Sequence, residues 1–147
     1  MFNPTRDDVR RFFCEVWRKH RERSVLTPIE TAALKWILVH PEHQGALADA
    51  QSAVAEEFTV ERGRTNPFLH LSLHLALDEQ LAIDQPPGIR AAFARIARRC
   101  GDPHDAAHLA MECLGEIVWH AQRGSLPADI GQINAAYLEC LERRAGP

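Results

Sequence analysis

The sequence predicts an all-α fold, a single-domain antiparallel helical bundle of about six helices over residues 1–147. Three observations predict it. Apolar residues recur at three- and four-residue intervals along most of the chain, which is the period of one helix face. No segment alternates polar and apolar residues as a half-buried strand does. Proline and glycine fall between the periodic stretches and leave short connections, which favour antiparallel neighbours. With 147 residues, 46% of them hydrophobic and 25% charged, the chain is long enough to bury a core without staples.

The first helix carries Val9, Phe12, Phe13, Val16 and Trp17 on one stripe, and Thr5 with Asp8 forms an N-terminal cap. The second opens at Thr27-Pro28-Ile29-Glu30, with Thr at the N-cap, Pro at the first helical position and Glu closing a capping box. Its face is Ile29, Ala33, Trp36 and Ile37, and Pro41 interrupts it. Residues 42–55 read as one short, poorly patterned helix, and 58–65 as loop. The third helix opens at Asn66-Pro67 and runs through FLHLSLHLALDEQL. It is apolar around most of its circumference and so belongs in the interior. Asp84-Gln85-Pro86-Pro87-Gly88 is a break. A fourth helix, 88–100, uses Ile89, Phe93 and Ile96, and Gly101 closes it. Asp102-Pro103 starts a fifth that runs to about Arg123, before Gly124. A sixth, 127–144, uses Ile130, Ile133, Tyr137, Leu138 and Leu141.

The 17 Lys+Arg against 20 Asp+Glu leave a net charge of -3, a balance that argues against a nucleic-acid partner or a membrane surface. The arginines of the first and fourth helices, Arg10, Arg11, Arg18, Arg95, Arg98 and Arg99 among them, read as solvated faces. No apolar run is long enough to span a bilayer, and Asp7 and Asp8 interrupt anything resembling a secretory signal. The expected compartment is cytoplasmic. Cys14, Cys100, Cys113 and Cys140 show no paired spacing and are expected as free thiols.

Chemistry concentrates in the eight histidines. His70 and His74 stand one turn apart, within about 60° of each other on the leucine stripe of the third helix. Two such imidazoles can chelate one ion, and burying both without partners is costly. The fifth helix carries His104, His108 and Glu112, with Glu116 continuing the series. If the third and fifth helices are neighbours, His-x-x-x-His faces His-x-x-x-Glu, a set suited to iron or zinc inside a bundle. His40 and His43, either side of Pro41, are further donors. The metal candidates are therefore His70, His74, His108, Glu112, His40 and His43. His20 continues the first apolar stripe, and Glu30 is accounted for by its capping box. No His-Glu-x-x-His, Gly-x-Ser-x-Gly, P-loop or dinucleotide fingerprint occurs, and no substrate or reaction is indicated.

Met1-Phe2-Asn3-Pro4, Arg10-Arg11-Phe12, Leu26-Thr27-Pro28 and His40-Pro41-Glu42, and most specifically NPFLHLSLHLALDEQLAIDQPPGIR (66–90) and MECLGE (111–116), resemble a proteobacterial family of small proteins known only as a domain of unknown function. The resemblance spans nearly the whole chain and implies no activity. The chain is similar, more weakly, to hemerythrin-like and DinB-like metal bundles through its His-x-x-x-His and His-x-x-x-Glu spacings. The order is reversed, and no His-x-x-x-x-Asp follows.

The sequence thus points to a cytosolic helical bundle holding iron or zinc at a His/Glu site. The alternative is a non-catalytic interaction or assembly module whose His/Glu set forms a hydrogen-bonded polar core. The apolar third helix fits a buried core as readily as a seam between two copies, so a homo-oligomer belongs to the same expectation.

Overall fold

Capping chemistry decides where the helices begin. A computed structural model describes residues 5–58, 66–124 and 129–146. The elements are α1 (Arg6–Arg21), α2 (Pro28–Val39), a 3₁₀ segment (Pro41–Leu47), α3 (Ala50–Ala55), α4 (Pro67–Ile83), α5 (Ile89–Cys100), α6 (Pro103–Gln122) and α7 (Ile130–Ala145). Among the described residues there is no strand, as an all-α fold requires. None of the helices there is long and apolar enough to cross a membrane. Both expected capping boxes are present: Thr5 with Asp8 on α1, and Thr27 with Glu30 on α2. Gly101 ends α5 in the left-handed conformation, φ 76°, which glycine adopts without penalty.

The chain divides into two compact units, Met1–Leu75 and Ala76–Pro147, with the boundary inside α4. In the first, α1 packs against α2, the 3₁₀ segment and α3. Its core gathers Phe13, Val16, Ala33, Trp36, Ile37, Leu47, Phe68 and Leu71. The single short helix expected over 42–55 is two elements. Pro41 starts a tight 3₁₀ turn, and Asp49 caps a fresh helix by accepting from the Gln51 N–H and the Ser52 hydroxyl. The loop expected over 58–65 lies outside the described residues beyond Phe58.

Arg10 is not on a solvated face. It is 3% exposed, donates to the carbonyls of Ala53 and Glu56 at 2.7 and 2.6 Å, and lies over the rings of Phe58 and Phe68. The guanidinium thereby fastens the end of α3, whose last carbonyls have no partner within the helix. Burial pulls its pKa below the ordinary arginine value.

In the second unit α5, α6 and α7 pack on one another, burying Ile89, Ala92, Ile96, Ala106, Ala110, Met111, Leu114 and Leu141. Tyr137 is buried and donates to Gln80 Oε1 at 2.7 Å. Arg90 donates to the carbonyls of Leu81 and Ala82 at the end of α4, while Asp84 accepts from its backbone N–H. One expectation is corrected here. Cys113 and Cys140 form a disulfide between α6 and α7, leaving Cys14 and Cys100 free. The two α-carbons sit 5.8 Å apart, inside the range a disulfide bridges. Their 27-residue separation carries no local signature, because the pairing is made by helix packing.

Candidate metal centre

The site belongs to the first unit and is assembled from two places in its chain. His40 ends α2 as the residue before Pro41, where the backbone leaves helical geometry at φ -126°, ψ 67°. A following proline disfavours the helical conformation at this position. The 3₁₀ segment then returns His43 to the same side, its N–H donating to the His40 carbonyl at 3.0 Å. The third and fourth imidazoles, His70 and His74, lie one turn apart on α4. That helix is anchored at its start by Asn66, whose side-chain oxygen accepts from the N–H groups of Phe68 and Leu69.

Four imidazoles are thus brought together. The His40 ring centroid is 4.5 Å from that of His70 and 4.8 Å from that of His74. His43 is 4.9 Å from His70, and His70 is 5.0 Å from His74. His74 is fully buried, His40 is 4% exposed and His43 7%. Two nitrogen pairs approach closely: His43 Nε2 to His70 Nδ1 and His70 Nε2 to His74 Nε2, both at 3.2 Å. His40 and His74 also bring ring nitrogens within 4.8 Å of each other.

These distances decide what the cluster can do. Two imidazole nitrogens on one ion, each at about 2.05 Å, lie about 2.9 Å apart at a right angle and about 3.4 Å apart at the tetrahedral angle. A 3.2 Å gap falls between the two. Each of these two close pairs therefore has the spacing of two ligands on one ion. The same gap also suits a hydrogen bond between neutral rings, one nitrogen donating and the other accepting.

The surroundings constrain the rings. His40 Nδ1 is 2.8 Å from the Trp36 carbonyl oxygen. A carbonyl only accepts, so Nδ1 is the donor, which leaves Nε2 as the atom that would face a metal, the usual support for a metal-binding histidine. Burial lowers the His43 pKa, and the neighbouring His40 lowers it further against the opposing pull of Glu42. A neutral ring is what a metal requires. Trp36 stacks on His74 with centroids 3.9 Å apart and planes inclined by 15°, fixing the buried ring's orientation.

Among the sequence candidates, His40, His43, His70 and His74 come together. His108 and Glu112 lie on α6 in the second unit. There His108 packs against His104 at 4.5 Å between centroids, and their ring nitrogens come within 4.8 Å. Glu112 is engaged by Arg144 at 2.7 Å, and Glu116 by the same guanidinium at 3.3 Å. Glu30 holds its capping box and pairs with Lys19 at 2.8 Å. Lys19, then the Thr27 N–H, draw its carboxyl below the usual range. His20 is exposed beside Trp17. Trp36, a core residue by its position on the α2 stripe, is the further member of the site. It shares the stripe that ends at His40, and that was the available signal.

A family model described as Domain of unknown function (DUF1841) matches residues 5–143. No curated protein and no solved structure matches the chain.

Proposed function

Because the chain belongs to the family described as Domain of unknown function (DUF1841), its activity has to be read from its site, and we propose that it binds a transition metal through His40, His43, His70 and His74. The observation that carries the reading is the convergence of four imidazoles, three of them buried, at separations that suit ligands of an ion. Imidazole ligation suits zinc, copper, iron and nickel, while carboxylates pull toward harder ions. With Glu112 engaged by Arg144, zinc is the first expectation and iron the second. His104 and His108 are a second imidazole pair for the same class of ion. The likeness to hemerythrin-like bundles rests on spacing alone and is not needed for this reading. The proposed compartment is the cytoplasm, where the Cys113–Cys140 bond would form on oxidation, since reducing pools keep such pairs as thiols.

The second reading is a hydrogen-bonded polar core, favoured by the same 3.2 Å contacts. Linkage separates the two. A metal that binds only the folded chain stabilises it by about 4 kcal/mol when present at a thousand times its dissociation constant. Urea unfolding with zinc and with EDTA should then give widely separated midpoints. Coincident midpoints would favour the polar core.

A further inference from the structure

The arrangement of His70 goes beyond a single ion. Its two ring nitrogens face different partners: Nδ1 meets His43 Nε2, and Nε2 meets His74 Nε2, each at 3.2 Å. An imidazole has nitrogens on opposite edges of its ring, so no single ion can use both. The two gaps are separate places, each with the spacing of two ligands on one ion. From this we propose that the site is dinuclear, with His70 as an imidazolate bridge between one ion shared with His43 and a second shared with His74. This rests on the metal-binding reading above and deepens it.

His40 fits as a further ligand at the His74 end. Its Nδ1–H is committed to the Trp36 carbonyl, and its ring lies closer to His70 and His74 than to His43, at 4.5 and 4.8 Å against 5.6 Å. Water completes both shells. The step balances simply. Neutral His70 binds the first ion through the nitrogen lacking a proton. When the second ion arrives, the remaining N–H bond breaks, a metal–nitrogen bond forms in its place, and one proton leaves to solvent with no change in oxidation state. Borderline divalent ions that favour imidazole, zinc and copper(II), suit such a bridge.

The test uses the full chain stripped of metal, titrated with zinc by calorimetry in two buffers of different protonation enthalpy, and with copper(II) by electron paramagnetic resonance. The proposal expects two ions per chain at the quartet, measured in a His104→Ala/His108→Ala background, and about one additional proton released with the second. It also expects a copper signal that rises to one equivalent and then falls, as the second copper couples to the first through His70. His43→Gln should bind one ion and give a full, uncoupled copper signal. One ion per wild-type quartet would overturn the bridge and leave the metal-binding reading standing. Two ions with a full spin count would also overturn it. No binding at all would overturn both. The stoichiometry and spin count of the intact quartet in that background decide the matter even if His43→Gln does not fold.

Discussion

Reducing the Cys113–Cys140 disulfide should destabilise the second unit by an amount set by chain statistics. The two residues are 27 apart in sequence. A cross-link closing a loop of that size removes about 3.5 kcal/mol of conformational entropy from the denatured chain at 25 °C. Both sulfurs lie inside the unit, Cys113 at 0% and Cys140 at 2% exposure, so the cost of losing the bond is not offset by solvent already present. With a urea slope of about 2 kcal/mol per molar, the midpoint should fall by roughly 1.5–2 M. The assay is urea denaturation of the oxidised chain and of the same chain held in a phosphine reductant, followed by circular dichroism. Thiol titration of the unfolded oxidised chain should find only Cys14 and Cys100 reactive. Coincident midpoints with equal slopes, or four reactive thiols, would show that the bond does not staple this unit.

Further predictions follow from the same geometry. Arg10→Met removes two charge-assisted hydrogen bonds to the carbonyls of Ala53 and Glu56 and should cost about 3 kcal/mol in urea unfolding, whereas unchanged stability would show that α3 does not need its clamp. Thr27→Ala breaks the α2 capping box and should cost about 1 kcal/mol by the same assay. The lowered pKa of His43 means that the folded chain resists protonating this ring. Its contribution is therefore intact above the unfolded value of about 6.5 and is lost as pH falls through 6.5 toward the folded value. Urea midpoints should decline below pH 6.5, and less steeply in His43→Gln. Trp36 stacks on His74, so in a Trp17→Phe/Trp119→Phe background copper(II) should quench the remaining indole emission, and His74→Ala should abolish the quenching.

Much of the fold was legible because local chemistry wrote it. Thr27-Pro28-Ile29-Glu30, Asn66-Pro67 and Asp102-Pro103 mark helix starts by capping and proline geometry, and those signals need no tertiary information. The stretch 41–55 was less legible, because a 3₁₀ turn has no apolar period of its own. His70 and His74 were visible as a pair on a leucine stripe. Their company was only half visible: periodicity places a residue on a helix face without saying which other segment covers it. Pairing them with His108 and Glu112 assumed that one amphipathic helix meets another. Within the first unit the turn at Pro41 supplies His40 and His43. Cys113 with Cys140, and Arg10 with the carbonyls of α3, were illegible for the same reason, since long-range packing makes both.

If the imidazole quartet holds a transition metal, the ion should be retained through purification. The most direct test is elemental analysis of untagged chain purified without chelator, wild type beside His70→Ala/His74→Ala. Wild type should carry at least one equivalent of zinc or iron per chain, lost in the double variant. Sub-stoichiometric metal, the same in both chains, would contradict metal binding by the quartet.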